Sequence, residues 1–113
     1  MASERYASGD LVALAGGLFR AVGLDEDKAE TTARLLVAAD LIGHTTHGLQ
    51  LAGPYLDAAR AGKMAMTGEP STIAETPATL TWDGRHLPGL WLTNRAVAAA
   101  IAKAQAVGLG AVA

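Results

Sequence analysis

Residues 38–62 read AADLIGHTTHGLQLAGPYLDAARAG. Small and aliphatic residues open the stretch at helical spacing, Gly43 interrupts it, and a run dense in polar groups follows before Pro54. A glycine just past an apolar run is a preferred helix stop, because it takes a left-handed backbone without strain. Proline suits the first position of a helix, where its missing N–H costs nothing. The stretch therefore predicts one helix ending at Gly43, a less regular segment from His44 to Gly53 with a short helical turn, and a helix from Pro54 to Ala61 stopped by Gly62.

Toward the N-terminus, Ala29, Ala33, Leu36, Val37 and Asp40 fall on adjoining faces of the helix that ends at Gly43. Asp25 is its expected N-cap, with Glu26 and Asp27 near the positive end of the helix dipole. Asp40 stands out as an acid beside an apolar stripe. An earlier helix is expected from the Ser8-Gly9-Asp10 cap signal, with Leu11, Leu14, Ala15, Leu18 and Val22 as its apolar face and Gly23 as its stop.

Toward the C-terminus, residues 63–70 connect to two short strands, Thr72 to Glu75 and Ala78 to Trp82. Thr76-Pro77 separates them and an Asp83-Gly84 turn closes the pair. Residues 85–89 read as a loop. An Ala-rich helix is expected from Trp91 to Val107, stopped by Gly108, and Leu109 to Ala113 begin a buried strand. The fold class is thus α+β: an N-terminal bundle of three helices over residues 1–62, then short strands and a long Ala-rich helix over 63–113. A strand begun so near the last residue reads as a chain cut inside an element, the alternative being a short edge strand.

Composition bounds the function. With 113 residues, half of them hydrophobic, the chain can form a core. A net charge of -2 without a basic cluster argues against nucleic acid as a partner. The absence of cysteine excludes disulfides and thiolate metal sites and fits a reducing compartment. MASERYASGD has no secretory pattern, and no apolar run is long enough to span a membrane, so a cytoplasmic location is expected.

The candidate chemistry sits at His44-Thr45-Thr46-His47-Gly48 and at Tyr55. Two histidines three residues apart can share a helix face, but no third ligand lies nearby and His86 belongs to a loop, so no metal is expected. Both histidines could simply cap or solvate a helix junction. Alternatively His47 donates to a substrate oxygen or carboxylate, with Gly48 opening an approach to the backbone. Tyr55 lies about two turns further on if the backbone stays helical. No GxGxxG turn or P-loop is present, and Gly108-Leu109-Gly110 is too short to serve. Trp82 and Trp91 read as core, and Arg60, Arg85 and Arg95 as solvated surface charges.

The stretch from Ala38 to Gly62 resembles the malate/L-lactate dehydrogenase superfamily that does not use a Rossmann fold, which includes ureidoglycolate, sulfolactate and diketogulonate oxidoreductases. The shared pattern is carried by Asp40, Thr46, His47, Gly48, Tyr55 and Gly62, and later by Asp83-Gly84, Gly89 and the helix ending AKAQAVGLGAVA. The resemblance runs from about Leu11 to Ala113 and implies a fragment, the N-terminal third, of that larger fold. Residues 63–113 are then the start of an α/β cofactor-binding domain.

It implies hydride transfer between NAD or NADP and a small 2-hydroxy or 2-keto acid, with His47, Tyr55 and Thr46 in contact with substrate. The family's proton-transferring histidine is expected beyond Ala113, so no catalytic residue is assigned within the chain, which is expected to be inactive alone. Where the family carries an arginine this chain has Leu51, so the bidentate clamp on a substrate carboxylate is missing. The implied partners are a second copy of the chain or a second polypeptide completing the fold. The alternative reading is a non-catalytic α+β module for dimerisation or partner binding.

Overall fold

The computed structural model describes residues 3–113, which fall into two compact units, divided between Thr67 and Gly68. The first is helical: α1 (Ser8–Ala21), α2 (Glu26–Leu41), two single 3-10 turns (Thr45–His47 and Leu49–Leu51) and α3 (Ala52–Arg60). The second holds β1 (Ser71–Glu75), β2 (Thr79–Asp83), α4 (Gly89–Val107) and β3 (Ala111–Val112). The α+β class is borne out.

Helix α2 follows its sequence closely. Asp25 caps it, its carboxylate accepting the Lys28 N–H at 3.1 Å. Ala29, Ala33, Leu36 and Val37 are all buried, as the spacing predicts. Burying a leucine such as Leu36 contributes roughly 1.5–3 kcal/mol. Lys28, Thr31 and Thr32 are buried as well, which the polarity of those residues had hidden.

Helix α1 corrects its prediction twice. Ser8 is its first helical residue rather than its cap; Ala7 holds the cap position without a side-chain bond. The buried face is Ala15, Gly16 and Phe19, whereas Leu14 is 62% and Leu18 43% exposed. Close helix contact explains the shift. A Cβ added at Gly16 would lie 3.8 Å from the Ala33 Cβ of α2, so small residues face the neighbour. Adjacent residues point about 100° apart on a helix, which turns Leu14 away once Ala15 faces inward.

Helix α3 begins two residues before Pro54. All of a helix's first-turn amides lack an intrahelical partner, so proline is tolerated there and not only at the first position. Gly43 ends α2 with φ +85, its N–H donating to Asp40 O and the His44 N–H donating to Ala39 O. Gly23 and Gly62 end α1 and α3 with the same pair of bonds.

In the second unit β1 and β2 form an antiparallel hairpin with an irregularity between Thr72 and Ala74. The Thr76 hydroxyl accepts the Thr79 N–H across its turn at 3.0 Å. Helix α4 then carries the chain to β3, which runs parallel to β2 in the order β1-β2-β3. A Cβ at Gly110 would meet the Ala100 carbonyl oxygen at 2.0 Å, so only glycine lets the chain pass so close to α4.

Two expectations change here. The segment Leu109 to Ala113 is not a buried strand: its paired part is two residues long, and Ala111 and Ala113 are exposed. The turn after β2 has its left-handed residues at Arg85 (φ 52) and His86 (φ 60), with the Asp83 carboxylate accepting the Arg85 N–H at 2.9 Å. Trp91 is buried as expected, and Trp82 is half-buried. Arg95 is more than a solvated charge: its guanidinium lies 4.7 Å from the Trp91 ring centre and pairs with Glu69. Among the described residues, no helix is long and apolar enough to cross a membrane.

Candidate functional site

The polar cluster folds as a short connection between α2 and α3. Once Gly43 has released the chain, the His47 N–H donates to His44 O at 2.9 Å and the Gly48 N–H to Thr45 O at 3.1 Å, forming the first 3-10 turn. The Leu51 N–H closes the second turn on Gly48 O at 3.0 Å. The expected short helical turn is therefore two tight turns hinged at Gly48.

Asp40 holds that hinge. From the last turn of α2 its carboxylate accepts the Leu49 N–H at 2.8 Å, satisfying an amide at the start of the second 3-10 turn. A Cβ at Gly48 would stand 2.0 Å from Asp40 Oδ1. Gly48 has φ -94, an ordinary value for any residue, so the glycine is required by the carboxylate's approach and not by backbone freedom. The acid beside the apolar stripe of α2 thus has a structural partner, which sequence spacing alone did not reveal.

His47 is exposed, and its Nδ1 lies 3.0 Å from the Thr46 hydroxyl. In the tautomer in which the hydroxyl donates to Nδ1, Nε2 carries a proton that can be donated outward. The His44 and His47 rings meet edge to face with centres 6.4 Å apart. Tyr55 is half-buried in the first turn of α3. No hydrogen bond joins it to Thr46 or His47 among the described residues, so the structure links two of the three proposed substrate contacts directly. Leu51 is half-buried in the second 3-10 turn. No group of three or more metal-ligating side chains occurs among the described residues.

A groove of the second unit has a volume of about 470 Å3 and lies along α4, lined by Trp82, Leu92, Thr93, Ala96, Val97 and Val112, among others. It is apolar, and none of its lining side chains titrates. The strand-to-helix loop of the same unit does not fit a dinucleotide phosphate. Gly84 is crowded by Leu92, whose Cδ1 is 2.9 Å from an added Cβ, and Leu87 and Pro88 are buried just before α4. The chain thus presents a histidine-bearing polar turn in its first unit and, in the second, a crowded loop before α4.

Comparison with known proteins agrees with this architecture. The family model described as malate/L-lactate dehydrogenase matches residues 7–113. The chain is 31% identical over 110 residues to hydroxycarboxylate dehydrogenase B of Escherichia coli, covering 97% of this chain and 30% of that protein. It is 35% identical over 100 residues to the (2R)-3-sulfolactate dehydrogenase (NADP(+)) of Chromohalobacter salexigens, covering 88% of this chain and 30% of the relative. The solved malate dehydrogenase of Pyrococcus horikoshii superposes with a TM-score of 0.93 at 29% identity, over 96% of this chain and 31% of that one. The chain spans about a third of the length of these relatives. It belongs to the malate/L-lactate dehydrogenase family.

Proposed function

We propose that this chain supplies the substrate-contacting turn of an NAD(P)-dependent dehydrogenase that interconverts small 2-hydroxy and 2-keto acids in the reducing cytoplasm. The observation that carries the reading is the exposed His47 imidazole, oriented by Thr46 on a turn held in place by Asp40. His47 donates to the substrate's hydroxyl or keto oxygen, Thr46 fixes the ring, and Tyr55 adds a hydroxyl from α3. NAD or NADP supplies or accepts the hydride in the complete enzyme, held mostly by residues beyond Ala113. The NADP(+) in the name of the Chromohalobacter relative supports a nicotinamide cofactor. Residues 1–62 form the helical region and 63–113 the start of the cofactor-binding domain.

A chimera tests this, with the chain fused to the part of the Escherichia coli relative that it does not match. The isolated chain should neither quench nor enhance NADH fluorescence, and the chimera should oxidise NADH or NADPH with 2-keto acids. His47→Ala should lower kcat/KM about a hundredfold, and Leu51→Arg should tighten 2-keto acids about ten- to a hundredfold by restoring a charge-assisted pair. An active chimera indifferent to both substitutions would overturn the assignment.

The second reading, a non-catalytic module for dimerisation or partner binding, draws on the exposed Leu14 and Leu18 of α1 and on Leu51 in place of a charged clamp. A chimera without any nicotinamide-dependent activity would favour it.

A further inference from the structure

The contact between α2 and the turn beyond it carries a role of its own. Asp40 reaches forward nine residues to take the Leu49 N–H at 2.8 Å. Its other oxygen rests against Gly48, where even a methyl group would overlap it at 2.0 Å. Gly48 directly follows His47 and separates the two 3-10 turns, so the carboxylate fastens the chain immediately after the imidazole. On the near side, the Gly43 cap fastens the chain to the end of α2. The segment between these anchors contains Thr46 and His47, both exposed, joined to each other at 3.0 Å. A segment of five residues tied at both ends to one helix has few conformations left, which presets the imidazole.

We propose that Asp40 is a positioning residue. Through Leu49 and Gly48 it fixes the backbone on which His47 meets the substrate acid, and Gly48 is glycine because that carboxylate occupies the place of a side chain. The proposal rests on the substrate-contacting role given to His47 and adds the residue that determines the ring's placement. Asp40 touches neither substrate nor cofactor.

The test uses the full chain and NMR, with pyruvate as the probe. Three quantities are read: hydrogen exchange of the Leu49 amide, the ring-nitrogen shifts of His47, and the displacement of those shifts on adding pyruvate. Asp40→Ala should speed Leu49 exchange about tenfold, shift the His47 ring nitrogens and weaken pyruvate binding about tenfold. Asp40→Asn keeps one acceptor oxygen and should restore part of all three, whereas a helix-packing role would leave the ring nitrogens unmoved. Gly48→Ala should damage the same readouts in the parent chain and add little in an Asp40→Ala background, because the methyl then has room.

An unchanged Leu49 exchange rate in Asp40→Ala overturns the proposal, as do additive effects of the two substitutions. Should pyruvate leave His47 unmoved in the parent chain, the substrate reading fails. The exchange rate and ring signature then still decide whether Asp40 positions the turn.

Discussion

Asp25 shows how a single side chain can act on both backbone and charge. Its carboxylate accepts the Lys28 N–H at 3.1 Å and the Lys28 ammonium at 2.8 Å, the latter on a side chain only 3% exposed. Burial pushes the Asp25 carboxyl up, but the bonds from the Lys28 side chain and amide, with the ammonium's charge, outweigh it. The group titrates below its ordinary value of 3.8. A carboxyl whose folded pKa is depressed contributes stability that is complete above the unfolded pKa and is lost as pH falls through the folded one. Urea unfolding should therefore show stability dropping as pH falls from about 5 through the folded pKa, with a shallower drop in Asp25→Ala. At neutral pH that variant should be less stable by about 1–2 kcal/mol through loss of the cap. Equal slopes in parent and variant would mean that Asp25 gains nothing from Lys28. Among the site residues, the polar turn that carries Thr46 and His47 was legible, because its composition and the flanking Gly43 and Pro54 are local signals. The hold of Asp40 on Leu49 was not, since it requires the chain to double back on α2.

At the scale of elements, α1 and α2 pack through small residues and one large ring, Phe19, with Ala29 and Ala33 fully buried on the facing helix. Within that helix the Thr32 hydroxyl is buried and without a hydrogen-bond partner among the described residues. A buried hydroxyl left unpaired costs on the order of 1–3 kcal/mol, and valine has nearly the same shape. Thr32→Val should raise stability by about 1 kcal/mol, seen as a higher urea midpoint at constant slope. A loss of similar size would mean that the hydroxyl has a partner, such as a water. Helix ends were readable from the sequence to within two or three residues, because capping uses side chains and glycines a few positions away. The phase of α1 was not, because a pattern of large aliphatic residues cannot register a close helix contact made through Gly16 beside Ala15 and Phe19.

At the scale of the whole molecule, several large apolar side chains remain exposed, among them Leu14, Leu18, Leu41 and Ile42 in the first unit and Ile73, Ile101 and Leu109 in the second. Among the described residues, strand β3 pairs with β2 alone and leaves its other edge open. Exposed apolar patches and open edges favour association. Light scattering at tens of micromolar should therefore give a mass above the 11.5 kDa of one chain. Substituting Leu14→Lys and Leu18→Lys together should lower that mass if α1 provides the contact. A monomer at every concentration would leave the fold without need of a second copy.

Some features of this protein were determined by the sequence alone: the α+β class, the helix stops at Gly23, Gly43 and Gly62, the Asp25 cap, the Ala-rich α4 and the polar turn around His47. Each follows from interactions spanning one or two turns of chain, where spacing and side-chain chemistry suffice. Only the tertiary structure decided which face of α1 is buried, why Gly48 must be glycine, how β3 pairs with β2 and where Arg95 rests. Those depend on approach distances between segments remote in sequence. At such contacts a methyl group more or less selects among arrangements that the linear pattern permits equally.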